Sequence, residues 1–263
     1  MYEFNYHKPA SLADAAKLLG AVEAKLVAGG MTLVPTLKQR LAKPSDLVDL
    51  AAIGGLKGIK EEGGGLTIGA MTRHAEVQRS ADVKRVIPAL AALAGMIGDP
   101  AVRNRGTIGG SISNNDPAAD YPAGLVGLGA TVVTTKREIG AEAFFSGMFE
   151  TALGQDEIVT AVKFPKPQAA AYQKFKNPAS RYAIVGVFVA RTAGGVRVAV
   201  TGAGPCVFRV PEMEAALGKS FSADAIKDIA IPDNGLNSDI HASAEYRAHL
   251  VNVMARRAVA ACV

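Results

Sequence analysis

The chain has no tryptophan, and aromatic residues make up only 6% of its 263 positions. So thin an aromatic supply argues against a surface that stacks bases. The 29 basic and 24 acidic residues leave a net charge of +5, but the cations are scattered and the longest pairs are of the Arg256-Arg257 kind. That is a solvated surface rather than a nucleic-acid stripe, so no nucleic-acid partner is expected. A mild basic excess still favours an anionic ligand or an acidic protein partner.

Cysteine is scarce too. Cys206 and Cys262 share no metal-ligand spacing, so the chain builds no zinc or iron–sulfur site alone. Two isolated thiols fit a reducing compartment. No apolar run reaches membrane-spanning length, and no transmembrane segment is expected. The opening MYEFNYHKPASLADAA has no signal-peptide hydrophobic stretch, so a cytoplasmic location is expected. Neither G-x-G-x-x-G nor G-K-[ST] occurs, which leaves Rossmann and P-loop sites without support. There is no internal repeat.

What is plentiful is glycine, 28 residues of it, and two pairs stand out. Gly29-Gly30 follows a short apolar run and precedes Met31, Thr32 and Leu33. Gly109-Gly110 lies between Thr107-Ile108 and Ser111 in VRNRGTIGGSISNNDPAADY, residues 102–121. A backbone that must touch a pyrophosphate carries no Cβ at the contact and exposes successive N–H groups. Each pair reads either as half of a two-sided phosphate site, with Thr32 and Ser111 adding hydroxyls, or as plain turn chemistry. Asp116 starts an Asp-Pro turn. Asp120 reads as a ribose-hydroxyl acceptor or as a helix cap.

Elsewhere Ser11 and Asp14 form a capping box opening a helix over Leu12–Leu19. Strands are expected at 25–28, 47–50, 66–71, 130–135 and 158–164. Helices are expected from about Thr32 to residue 41, from Thr72 through His74, over 81–97 with a kink or break at Pro88, and over 121–128. Pro165 and Pro167 mark a boundary near 165–171. Beyond it, 172–176, 183–191 and 196–201 read as an antiparallel meander turning at Gly194-Gly195. Helical stretches at 211–217, 223–229 and 243–261 follow. Strands and then helices make this second part an α+β unit.

Five stretches together resemble one family. They are AGGMTLVPTLKQRLAKPSDLVDL (28–50), IGAMTRHAEV (68–77), IGDPAVRNRGTIGGSISNNDPAADYP (97–122), DEIVTAVKFP (156–165) and YQKFKNPASRYAIVGV (172–187). They are similar to the flavin-binding medium subunit of molybdenum hydroxylases, the carbon monoxide dehydrogenase medium-chain and xanthine dehydrogenase FAD-domain family, over essentially the whole chain. The resemblance implies an α+β fold. A two-lobed FAD-binding domain of the vanillyl-alcohol-oxidase kind would span 1–168. A C-terminal domain with a three-stranded antiparallel sheet and helices would span 169–263.

The resemblance also implies FAD between the lobes. Ala28, Gly29, Gly30, Met31, Thr32 and Leu33 would form one pyrophosphate loop, and Thr107, Ile108, Gly109, Gly110 and Ser111 the other. Asp120 would lie near the adenosine part and Ile97 and Val159 would be apolar neighbours. Lys174 would sit near the flavin ring, with Lys176 close enough to blur that register. Tyr182 would shield one flavin face. Met31 departs from the polar residue that close relatives often carry after the glycines, so a side-chain contact is lost there. His74 is read as a surface histidine in preference to a flavin neighbour.

Its implied role is electron transfer inside a larger enzyme. A large subunit would hold a molybdenum cofactor and a small one two [2Fe–2S] clusters, in a dimer of heterotrimers. This chain would take electrons on FAD and pass them to a quinone, cytochrome, NAD or oxygen. No catalytic acid–base pair or metal ligand is expected from the chain itself, and peripheral association with the inner face of a membrane is compatible with the role. Aerobic carbon monoxide dehydrogenase is the leading name. The alternatives are a xanthine-, aldehyde- or N-heterocycle-type dehydrogenase, a self-contained flavoprotein oxidase, or an assembly scaffold without FAD.

Overall fold

The computed structural model describes residues 1–20 and 23–262. The first lobe is built from β1 (Asn5–His7), α1 (Leu12–Leu19), β2 (Lys25–Val27), α2 (Leu33–Lys38) and β3 (Asp46–Asp49). Ser11 caps α1 as expected, its hydroxyl accepting from the Asp14 N–H at 3.1 Å. The three strands form a small parallel sheet in the order β1-β3-β2. Ala15 and Leu19 of α1 bury against Val48, Leu50, Ile53 and Ile158.

The second lobe carries β4 (Ile59–Glu62), β5 (Gly65–Gly69), α3 (His74–Arg79), α4 (Ala81–Val86), α5 (Pro88–Gly95), α6 (Pro100–Arg105), α7 (Ile108–Asn114) and α8 (Tyr121–Leu128). Then come β6 (Thr131–Thr134), β7 (Glu138–Gly140), α9 (Ala141–Phe144), β8 (Phe145–Gly147), β9 (Glu150–Thr151) and β10 (Val159–Pro165). Five of these strands make an antiparallel sheet in the order β4-β5-β10-β6-β7. The apolar run 81–97 is two helices, because Pro88 starts α5 at its first position, where the missing N–H costs nothing. Thr72 is not the cap of α3. Its hydroxyl bonds Gly58 instead, and Arg73 precedes the helix with its N–H held by the Glu76 carboxylate.

The C-terminal unit contains β11 (Ala169–Lys176), β12 (Ala183–Thr192), β13 (Gly195–Thr201), β14 (Phe208–Arg209), α10 (Pro211–Lys219) and α11 (Ala244–Ala260). The three long strands form the expected meander, and the two-residue β14 adds a fourth at its edge. The stretch expected as helix at 223–229 is a 3₁₀ turn over Ala223–Ile226. Central strand β12 is buried on both faces from Ala183 to Ala190. Tyr172, Phe188 and Ala190 join the core of the second lobe with α5 and α8. Val185, Val187 and Val189 face α11. Sandwiching the sheet between helix layers explains why its middle strand reads as an uninterrupted apolar run.

Candidate functional site

The first glycine pair sits where β2 gives way to α2. Gly30 has φ of +71°, a left-handed backbone that suits glycine. The turn it makes leaves a series of donors unused. Among the described residues, the N–H groups of Gly29, Gly30, Met31, Thr32 and Leu33 donate to no protein acceptor. The Thr32 hydroxyl makes no capping bond either. These residues are half-buried or exposed, so the donors open outward. Five successive free amides are what an anion needs from a backbone.

The second pair behaves differently. Residues 107–111 are not a loop but the first turn of α7. Thr107 is the N-cap, and its hydroxyl accepts from the Gly110 N–H at 3.1 Å. The Ile108 N–H goes to Thr72 O, that of Gly109 to Ala70 O and that of Ser111 to Thr107 O. The amides expected as a second phosphate-binding set thus each have an acceptor within the chain, unlike those at 29–33. What the turn offers is the free Ser111 hydroxyl and a wall without a Cβ.

Packing shows why each glycine is needed. A Cβ on Gly29 would lie 2.3 Å from Arg105 O and 2.7 Å from Gly106 Cα. One on Gly109 would lie 2.6 Å from Ala70 Cβ. Gly110 instead borders the gap between the turns, its Cβ position 3.0 Å from the Thr107 hydroxyl and 3.7 Å from Ala28 Cβ. The two glycine pairs, 80 residues apart in sequence, thus stand side by side.

A second cluster gathers more of the expected residues. Asp120 is buried at 4% exposure and Lys174 at 1% for the side chain. Lys174 Nζ lies 2.8 and 3.0 Å from the two carboxylate oxygens and donates to Met96 O at 3.0 Å. The Tyr172 hydroxyl donates to Asp120 Oδ1 at 2.6 Å. Burial pushes the Asp120 carboxyl upward and the charge of Lys174 opposes it. Asp120 makes no capping bond to α8. Of the two lysines, Lys176 is exposed and Lys174 faces Asp120. Asp120 was expected near the adenosine part of the cofactor and Lys174 near the flavin ring; here they form one ion pair at 2.8 Å, so the two separate placements do not both hold.

Ile97, half-buried, adjoins Met96, and Arg103 donates to the Ile97 and Gly98 carbonyls at 3.0 Å each. Arg181 reaches Gly98 O at 3.5 Å. Tyr182 follows it, 47% exposed. Partial burial and the nearby charges of Asp116 and Asp120 push its hydroxyl upward. Val159 lies apart from this cluster, buried on β10 next to Thr160, whose carbonyl takes the Ala70 N–H. It backs the second glycine turn.

His74 is not at the surface. It is 4% exposed, its ring centroid is 5.4 Å from that of Tyr121, and its N–H donates to Gly106 O. Burial, then the charge of Arg103, pulls its pKa down to about 4. The imidazole is a neutral prop beneath the segment that meets Gly29.

Three further contributors escaped the sequence: Tyr172, Met96 through its carbonyl, and the Arg105–Gly106 backbone. Only Tyr172 left a signal, two residues before Lys174 and so on the same face of a strand. Cavities of about 580 and 480 Å³ in the C-terminal unit are lined by none of the expected cofactor residues. The described residues hold no cluster able to bind a metal ion and no helix long and apolar enough to cross a membrane.

With this geometry in place, comparison with known proteins is decisive. Residues 2–167 match the FAD binding domain in molybdopterin dehydrogenase, and residues 170–262 match the CO dehydrogenase flavoprotein C-terminal domain. The chain belongs to this molybdopterin-dehydrogenase flavoprotein family. It is 37% identical to the nicotine 6-hydroxylase medium subunit of Paenarthrobacter nicotinovorans, covering 97% of this chain and 95% of that one. It is 35% identical to the carbon monoxide dehydrogenase medium chain of Hydrogenophaga pseudoflava, covering 97% and 96%. A solved structure of the carbon monoxide dehydrogenase from Hydrogenophaga pseudoflava, in a form lacking the Mo-pyranopterin moiety, superposes with a TM-score of 0.90 at 37% identity, covering 99% and 97%. The flavoprotein fold is therefore shared from end to end.

Proposed function

We propose that this chain is the FAD-carrying electron-transfer subunit of a molybdenum hydroxylase complex. The observation that carries the proposal is the run of free amides at 29–33 set against the Cβ-free position of Gly110. The residues present fit a dinucleotide diphosphate: free donors on one side, a glycine without a Cβ on the other, and unpaired hydroxyls at Thr32 and Ser111. The Asp120–Lys174–Tyr172 cluster, with Ile97 and Tyr182, would border the isoalloxazine end, which moves Asp120 there from the adenosine part where it was expected. Bound there, FAD would supply a ring able to take electrons singly and release them in pairs, while the chain supplies orientation and electrostatics.

The electrons would come from the [2Fe–2S] subunit, which receives them from the molybdenum subunit, and would leave to an external acceptor. We place the complex in the cytoplasm as a dimer of heterotrimers and draw the domain boundary at residues 168/169. Carbon monoxide is the substrate we assign to the complex, from the Hydrogenophaga pseudoflava medium chain and structure named above. An N-heterocycle is the second reading, favoured by the 37% identity to the nicotine hydroxylase subunit. Purifying the complex tests both. Flavin absorbance that disappears in Gly110→Val is expected, followed by bleaching with carbon monoxide. Full flavin content in that variant would overturn the site, and bleaching only by an N-heterocycle would overturn the substrate.

A further inference from the structure

The two units of the chain meet at one buried carboxylate. Asp120 precedes α8 in the first unit. Among the described residues, the side chains that bond its carboxylate both come from β11 of the C-terminal unit. Lys174 is one of them, and its ammonium is fully engaged. Two contacts go to the carboxylate oxygens and one to Met96 O. An ammonium has three protons, so none is left for a ligand. The pair is neutral and self-contained.

Tyr172 is the other, two residues earlier on the same face of the strand. Its hydroxyl donates to Asp120 Oδ1 at 2.6 Å, and its ring stacks on Phe188 with centroids 6.2 Å apart. Room for that hydroxyl is built into β12. Gly186 stands opposite Lys174, and a Cβ there would lie 2.2 Å from Tyr172 Oη. The segment carrying Asp120 is fixed from the same sheet, where the Thr201 hydroxyl donates to Ala119 O at 2.6 Å, with Pro117 O at 3.1 Å. Burial by itself favours the protonated carboxyl, and each donor opposes that. Burial and the Asp120 charge keep the Tyr172 phenol protonated, so it remains a donor. Tyr121 and Tyr182 also feel that charge; both phenols are pushed upward, so neither offsets Lys174.

We infer that Tyr172 is a positioning residue for the flavin: its hydroxyl keeps Asp120 ionised, so the charge of Lys174 is neutralised and withheld from the isoalloxazine end. The inference rests on the electron-transfer reading above. Without the hydroxyl, Asp120 loses a donor and takes up a proton from solvent. Met96 O and the neutral carboxyl still hold the ammonium, so one positive charge acts on the cofactor across a buried, low-dielectric setting. Positive charge beside a flavin favours its reduced, more negative form.

The test is a redox titration of the flavin in the purified complex. Tyr172→Phe keeps the ring and its packing. It is expected to retain flavin, because Tyr172 lies outside the phosphate half of the site. The balance between reduced and oxidised flavin should shift toward reduced at least about tenfold, a rise of about 30 mV in a two-electron potential. Phe188→Leu is the packing control. It removes the ring stack and keeps the hydroxyl, so Tm should fall while the potential stays put. An unchanged or lower potential in Tyr172→Phe, loss of its flavin, or an equal rise in Phe188→Leu contradicts the inference. An unsubstituted complex that carries no flavin would instead sink the electron-transfer reading.

Discussion

The two glycine pairs look alike in sequence and do opposite things in the fold. Gly29-Gly30 leaves five consecutive amides without acceptors, whereas the amides around Gly109-Gly110 are consumed by Thr72, Ala70 and the Thr107 cap. One pair supplies donors and the other supplies room. The lesson is that a missing Cβ has several uses, told apart only by what lies beside it. Gly29 lets one segment press on the Arg105–Gly106 backbone, and Gly109 lets α7 press on Ala70. Gly110 alone keeps open the space between the turns.

Substitution should separate these roles. The largest effect is expected at Gly110. Valine there fills the gap and also crowds the capping Thr107 hydroxyl, which a Cβ would meet at 3.0 Å, so flavin content should fall to traces with only a modest fall in Tm; retention of flavin would merge the two pairs back into ordinary turns. Asp120→Asn comes next, since it leaves the Lys174 ammonium buried without a counter-charge. Loss of one partner of such a pair costs about 3–5 kcal/mol, readable by urea unfolding. A loss well under 1 kcal/mol would mean that the lysine escapes to solvent.

Gly29→Ala should be milder in stability but should strike both properties together. Its methyl meets backbone, so about 1–3 kcal/mol and most of the flavin should be lost in parallel. Flavin loss without any fall in Tm would show that Gly29 serves the ligand and not the contact between turns.

His74 sharpens the comparison through pH. Its folded pKa of about 4 lies below the ordinary 6.5, so between these values the unfolded chain binds the extra proton. Its contribution makes stability fall as pH drops from about 6.5 to about 4, and no further below that. His74→Gln should flatten this limb of a Tm–pH profile, and an unaltered limb would mean that the ring is not buried neutral. Smallest of all is Thr32→Ala, where one hydroxyl bond of about 1 kcal/mol should weaken flavin binding a few-fold in a titration.

Local signals were legible and non-local ones were not. Ser11 and Asp14 announce α1, and the alternation and turn residues after Pro167 announce the meander, because each rule works within a few residues. The helix α7 was hidden because its first turn contains two glycines, although Thr107 with Ile108 and Ile112 is a capped, four-spaced apolar pattern in hindsight. The neutral pairing of Asp120 with Lys174 joins residues 54 apart, and His74 is buried by a chain segment some 30 residues on. Neither leaves a trace in local periodicity. The cofactor-binding positions were legible only through the family resemblance. What the structure adds is that its phosphate half is asymmetric.

Hydrogen exchange tests that asymmetry most directly. In the flavin-free protein the amides of residues 29–33 should exchange at nearly unprotected rates, while those of 108–111 should be protected from the start. Adding FAD should slow the first set markedly and leave the second almost unchanged. Fast exchange at 29–33 with FAD bound, or new protection confined to 108–111, would contradict the account.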